Sequence, residues 1–223
     1  MIQSNFDVEK ELLTRGYGLI IGIDEAGRGP LAGPVVASAA VCRLADFVIT
    51  EDKIKDFELV RDSKKLSAKQ REKVFDFIQE NFWVGVGICN HETIDRINIL
   101  EATYLAAKMA VSDLLKKMAI VPGASKMMIL FDGNKLIPNF SHEQRAIVGG
   151  DKIVKSISAA SIVAKVTRDR MMLEMHEKYP QYGFDAHKGY GTKFHMEMIA
   201  KHGPCPIHRQ SFEPMPTLAK RRK

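Results

Sequence analysis

Cysteine is scarce in this chain, and so are the long apolar runs, phosphate-binding glycine loops and linker tracts that mark many protein classes. Three cysteines among 223 residues, Cys42, Cys89 and Cys205, stand far apart with no C-x-x-C pair. That excludes a disulfide framework and the common zinc signatures, and it suits a reducing compartment. No stretch approaches the ~20 apolar residues that cross a bilayer. The leading MIQSNFDVEKELLTRG has no apolar core of the signal-peptide kind. The expectation is a cytoplasmic protein with no membrane contact. No G-x-x-x-x-G-K followed by Ser or Thr occurs, which argues against a P-loop nucleotide site. No repeat, low-complexity tract or Pro/Gly/Ser linker divides the first 200 residues. The expected organisation is one domain over 1–205, including C-terminal helices, and a basic tail over 206–223.

A hydrophobic content of 45% is enough for a substantial core in one domain. The net charge of +6 is unevenly spread. From Lys201 to Lys223 there are six Lys or Arg against the single acid Glu213, so the tail carries five of the six net charges. Such a tail fits a phosphate backbone or another acidic surface, and equally a solvated chain end.

Periodicity gives the elements. Asp7 to Leu13 reads as a short amphipathic helix, and LIIGID (Leu19 to Asp24) and VVASAAVC (Val35 to Cys42) as strands. Ser67 and Gln70 form a capping-box pair ahead of Val74, Ile78 and Phe82 at helical spacing. WVGVGIC (Trp83 to Cys89) alternates as a strand. Asn98 and Glu101 open a long helix through Leu115, and MMILF (Met127 to Phe131) is a buried strand. Helices are expected from about Ser156 to Lys178, beginning with small residues, and from Thr192 to Lys201. Tight early connections suggest antiparallel neighbours, with a parallel strand later. The fold class is α/β, a mixed sheet flanked by helices.

Two apolar strands end in acids with glycine close behind: LIIGID-Glu25-Ala26-Gly27 and MMILFD-Gly133. In open α/β sheets, sites form beyond the carboxyl ends of strands, so neighbouring parallel strands would bring Asp24 and Asp132 together. Glu25 points to the other face unless the chain leaves the strand there. Clustered carboxylates repel unless cations join them, and oxygen-only ligands select Mg²⁺ or Mn²⁺ over zinc. The plainer alternative is that these are turn or capping acids. Asp151 in Gly149-Gly150-Asp151 precedes the Ser156 helix and is a turn acid or a further ligand. Asp169 competes for that role but sits between Arg168 and Arg170 with Lys165 one turn back, which favours a surface ion pair.

The run Gly27-Arg28-Gly29-Pro30-Leu31-Ala32-Gly33 lacks the dinucleotide-loop spacing and precedes a strand, so a Rossmann reading fails. A loop with bare amides and one arginine could still grip a sugar hydroxyl and a phosphate. Arg61-Asp62-Ser63-Lys64-Lys65 offers phosphate contacts or merely solvated lysines. Tyr190, between Gly189 and Gly191, is a stacking platform or a packed loop tyrosine. His202, Cys205 and His208 have three-residue spacing that could suit a soft metal, but no fourth ligand is evident.

Taken in order, GIDEAGRGPLAGPVV, RDSKKLS, IDRINILEAT, FDGN, GGDKIVKSISAASIVAKVTRDR and HKGYGTKFH span nearly the whole chain. The set resembles the type 2 ribonucleases H, specifically the bacterial ribonuclease HII group. The resemblance implies the ribonuclease H-like fold, a mixed five-stranded sheet between helices with a helical C-terminal region. It implies Asp24, Glu25, Asp132 and Asp151 as catalytic, metal-holding carboxylates for two Mg²⁺ or Mn²⁺ ions. Gly27, Arg28 and Gly29 would read the ribose 2′-hydroxyl, Tyr190 would stack on the sugar, and Lys64 would touch the phosphate backbone. The implied partners are RNA–DNA hybrids and DNA containing ribonucleotides. The implied reaction is cleavage of the RNA strand, or incision 5′ of a single embedded ribonucleotide. It would leave 5′-phosphate and 3′-hydroxyl ends and belong to ribonucleotide excision repair. A monomer is expected. Gly149 departs from the Lys-Gly-Asp that family members often carry, which weakens one phosphate contact but keeps the acid. The length leaves no room for the extra N-terminal domain of ribonuclease HIII. A non-catalytic nucleic-acid-binding module and a metal-dependent phosphatase or DNA nuclease are the rivals; the first would not require the acids, and the ribose-reading loop speaks against both.

Overall fold

The computed structural model describes residues 4–43, 51–61, 63, 66–119 and 125–221. In chain order, α1 (Asp7–Thr14) leads into a hairpin of β1 (Leu19–Ala26) and β2 (Val35–Cys42). Then come α2 (Glu51–Leu59), α3 (Ala68–Asn81), β3 (Phe82–Cys89), α4 (His91–Ile97) and α5 (Ile99–Lys117). After these lie β4 (Met127–Asp132), β5 (Glu143–Ile147), the single turn α6 (Gly150–Ile153) and the long α7 (Lys155–Lys178). The last helices are α8 (Phe184–His187), α9 (Lys193–His202) and α10 (Met215–Arg221).

The strands form one mixed sheet in the order β3-β2-β1-β4-β5. Pairing is antiparallel among β1, β2 and β3, and parallel from β1 to β4 to β5. Side-chain alternation then decides the layers. Ile21 and Ile23 join Ala37 and Ala39 against Ala106, Ala107 and Ala110 of α5. On the opposite face Ile20 packs with Met128, Leu130 and Ile157, while Ala40 and Val84 meet Ala159, Ile162 and Val163 of α7. Each such large apolar side chain is worth roughly 1.5–3 kcal/mol when buried. The small residues opening α7 let it lie directly on β1: a Cβ at Gly22 would fall 2.3 Å from the Ser156 carbonyl carbon. Any side chain there would lift the helix off the sheet.

Helix ends are held by specific partners. Ser67 and Gln70 form a reciprocal capping box on α3, and Asn98 accepts from Leu100 and Glu101 amides at the start of α5; each such cap contributes about 1 kcal/mol. Val154 gives α7 no side-chain cap. Glu9 of α1 substitutes, accepting from the Ser156 amide at 2.9 Å and hydroxyl at 2.8 Å. Buried Lys155 donates to the Phe57 and Val60 carbonyls at the end of α2.

Three features differ from the sequence expectation. Glu143–Ile147 forms the edge strand β5 although EQRAI shows no clean alternation, because parallel pairing with β4 supplies its order. His91–Ile97 is a separate helix, capped by Asn90. Most plainly, the boundary at 205/206 cuts through packed structure. His208 and Arg209 are fully buried, Ala32 bridges His208, and Met215 joins the cluster of Met172, Tyr182 and Phe184. No helix among the described residues is long and apolar enough to cross a membrane.

Candidate active site

Parallel pairing sets Ile23 opposite Phe131, so Asp24 and Asp132, the next residues, stand side by side where β1 and β4 end. Both share the pleat face of Ile20, Met128 and Leu130, the face covered by α7. The loop after β5 brings in α6, whose Gly150 amide donates to Asp132 Oδ1 at 2.7 Å and whose Asp151 is buried. Carboxylate oxygens of Asp24, Asp132 and Asp151 all lie within 4.8 Å of one another. Burial above all, and then the charges of Glu25 and Asp132, hold the Asp24 carboxyl well above the usual carboxylate range. Bonds from the Ser161 side chain and, at 2.7 Å, from the Glu25 amide offset this only in part. Three crowded acids from three elements, offering only oxygen, fit a hard divalent cation.

Glu25 stays in the strand, paired with Ala37 of β2, so it points away from the face of Asp24. Its carboxylate lines the same cleft but meets Arg28 at 3.3 Å and stands outside the three-oxygen group. The cleft, about 370 Å³, runs from Asp24 and Asp132 past Ser161 and Lys165 to Gly27–Gly29 and Tyr190. Tyr190 is 45% exposed, unusually open for so large a ring. Gly27 has φ +101°, and a Cβ on it would strike Arg168 Nε at 2.2 Å, so only glycine fits. At Gly29 the situation is reversed: a Cβ would sit 3.6 Å from the Tyr190 ring, in ordinary contact and on the cleft side. Lys64 lies outside the described residues.

Asp169 pairs with Lys165 at 2.8 Å and approaches Arg71 at 4.0 Å, which matches the ion-pair expectation. The spacing of His202, Cys205 and His208 builds no metal site. The Cys205 amide donates to His208 Nδ1 at 2.9 Å, His208 Nε2 meets His195 Nε2 at 3.0 Å, and His195 Nδ1 meets the Tyr190 carbonyl at 2.9 Å. One proton arrangement satisfies this whole chain: His208 neutral with its proton on Nε2, and His195 neutral with its proton on Nδ1. Burial pushes both histidines down to about 4. The relay therefore fixes the backbone that carries Tyr190.

Sequence reasoning passed over Arg168, His195 and Arg209. Arg168 had a signal, since it falls on the buried stripe of α7 with Ser161, Ala164 and Met172. Arg209 had none, being one basic residue in a basic tail.

The chain is similar to known proteins over nearly its whole length. The family model described as Ribonuclease HII matches residues 21–215. A curated Ribonuclease HII from Caldicellulosiruptor bescii is 48% identical over 211 residues, covering 94% of each chain. Among solved structures, ribonuclease H2 from Pyrococcus horikoshii superposes with a TM-score of 0.63 at 27% identity, over 91% of this chain and 97% of that one. Bst-RNase HIII in complex with Mn²⁺ gives a TM-score of 0.68 at 19% identity, over 92% of this chain and 71% of that one, and shows likeness of fold.

Proposed function

The chain belongs to the ribonuclease HII family, a metal-dependent ribonuclease H, and from that premise we propose that it cuts the RNA strand of RNA–DNA hybrids and incises 5′ of single ribonucleotides embedded in duplex DNA. The observation that carries the reading is the group of three carboxylate oxygens within 4.8 Å at one end of a cleft whose other end is the Gly27–Gly29 loop and Tyr190. Asp24, Asp132 and Asp151 would hold Mg²⁺ or Mn²⁺, with Glu25 as the fourth acid at the rim. Ions held there would supply Lewis acidity for phosphodiester hydrolysis, by a two-metal mechanism. The acids sit on strand ends and a helical turn, so their oxygens are placed before substrate arrives. Arg28 and Gly29 would bind the ribose 2′-hydroxyl through their backbone, Tyr190 would press on the same sugar, and Lys64 would hold a phosphate. Products would carry 5′-phosphate and 3′-hydroxyl ends.

The test is a labelled DNA duplex carrying one ribonucleotide, incubated with Mg²⁺, Mn²⁺ or chelator. Metal-dependent incision on the 5′ side of the ribonucleotide, with a 3′-hydroxyl end, is expected. Cutting only at runs of ribonucleotides, or equal cutting of all-DNA duplex, would overturn the reading.

A further inference from the structure

Two guanidiniums lie buried beneath the Gly27–Pro34 loop. Arg209 donates Nε to the Gly33 carbonyl at 3.1 Å, Nη1 to Arg28 at 2.9 Å, and Nη2 to Gly27 at 2.5 Å and Pro34 at 3.3 Å. Arg168 donates Nε to Pro34 at 2.9 Å, Nη2 to Ala32 at 3.1 Å and Nη1 to Lys188 at 3.0 Å. Burial, then the charge of Arg168, push Arg209 down to about 9, and burial pushes Arg168 down to about 10, so both stay charged at neutral pH. Desolvating two like charges together is costly, and an apolar side chain could fill the same volume. What arginine adds is a rigid planar fork that fixes several carbonyls at once.

The orientation has a stereochemical consequence. In a trans peptide the C=O and the following N–H point in opposite directions. With the Gly27 and Arg28 carbonyls turned onto Arg209, the amides of Arg28 and Gly29 are turned away from it. Among the described residues neither amide donates to another backbone group. These residues line the cleft beside Tyr190. We infer that Arg209 is a positioning residue for sugar recognition, setting the peptide planes of Gly27 to Gly29 so that two amides face the ribose at the cut. This rests on the loop being the ribose reader; Arg209 itself would touch neither substrate nor acid.

The surrounding segment is tied to act as a unit. The Arg209 amide donates to Leu31 and the Gly33 amide to Ile207, both at 2.9 Å. Asp95 of α4 holds the far side, accepting from the Gln210 and Ser211 amides at 2.8 and 2.9 Å and from the Ser211 hydroxyl. Asp95→Ala should therefore loosen the placement of Arg209 without leaving a buried charge stranded.

The experiment measures binding by fluorescence anisotropy with Ca²⁺ in place of Mg²⁺, so that affinity is read without turnover. Wild type, Arg209→Lys, Asp95→Ala and Gly29→Ala are compared on a duplex with one ribonucleotide and on the same duplex in all-DNA form, with thermal melts confirming the fold. Arg209→Lys should lose about tenfold of the preference for the ribonucleotide, the worth of charged hydrogen bonds. Its affinity for all-DNA duplex should hold within about twofold, because phosphate contacts are untouched. Asp95→Ala should lose about threefold, and it decides the matter alone if Arg209→Lys does not fold. A merely structural role would weaken both duplexes equally. That result, or wild-type preference in the folded variants while Gly29→Ala loses it, would overturn the positioning role and leave the loop reading intact. If wild type shows no preference, or Gly29→Ala keeps it, the loop reading itself falls.

Discussion

At one end of the cleft, acids from β1, β4 and α6 crowd together, with an oxygen of each within 4.8 Å of the others. At the other end, two arginines are buried with loop carbonyls as their partners. Both ends confine like charges, but they settle the account differently. The guanidiniums are satisfied from within, so that end is finished architecture. The carboxylates instead aim oxygens from three elements at one point, which a divalent cation would bridge on the proposed reading. The lesson is that confined like charge points to a ligand when the groups converge on one point, and to architecture when each is spent on loop carbonyls.

Removing charge should therefore have opposite consequences at the two ends. Asp24→Asn or Asp132→Asn should lower kcat by ~10³-fold or more, since several kcal/mol of transition-state stabilisation leave with the ion. In chelator the same variants should melt about 2–4 °C higher, the equivalent of ~1 kcal/mol of relieved repulsion in a domain of this size. Near-normal turnover at saturating Mg²⁺ in either variant would break the contrast.

Asp151→Asn should cost ~10²-fold in kcat while duplex binding remains measurable, whereas Asp169→Asn should change the rate less than about twofold, as a surface pair predicts. A dead Asp169→Asn beside an active Asp151→Asn would exchange the two assignments.

The loop end should instead reveal itself in acid. His195 and His208 are held at about 4 in the fold, against about 6.5 in an unfolded chain. Between those values the unfolded chain binds protons that the native relay refuses, so its stabilisation is complete above pH 6.5 and is lost as pH falls toward 4. His195 stacks on His187 and His208 meets Cys205, and among the described residues no carboxylate raises either histidine. Denaturant midpoints at pH 7, 5.5 and 4.5 should show a loss of roughly 2–3 kcal/mol per histidine, so that His195→Gln loses about half as much as wild type. Equal slopes in both proteins would remove the relay from the account.

Smaller still are the specificity effects. Tyr190→Ala, worth roughly 1–3 kcal/mol where bases stack and less for a sugar, and Gly29→Ala should depress kcat/KM on a single embedded ribonucleotide more than on a continuous hybrid. In the hybrid many registers are available, so one poor contact matters less. A constant ratio between the two substrates would assign these residues to general architecture. Deleting Lys220 to Lys223 should weaken all duplexes alike and chiefly at low salt, by counterion release; an unchanged salt slope would mark the tail as solvated.

Legibility in the sequence followed the physics of each feature. Asp24 and Asp132 could be seen because acids ending apolar strands are a local pattern, and parallel adjacency of β1 and β4 then brought them together. Asp151 read as a turn acid or a further ligand from its place before a helix, and only the family resemblance chose between the two. Strand β5 could not be seen because its order comes from a neighbour rather than from its own alternation. Arg168 looked like a surface partner of Asp169, yet that acid turned to Lys165 and Arg71 while Arg168 turned inward. Arg209 acts through carbonyls 175 to 182 positions away in the chain, a distance at which no periodicity speaks.

Helix α7 underlies both ends of the cleft: Ser161 faces Asp24, and one stretch further along Arg168 supports the Gly27–Pro34 loop. Seven residues at ~1.5 Å each make a rod of about 10 Å between the two. On the proposed reading, the separation of the carboxylates from the sugar-reading loop is thus a length measured out in helical turns. A single residue inserted between Ser161 and Arg168 would swing one group by about 100° against the other. Substitutions across this helix can be graded, but its length between those two points admits no adjustment.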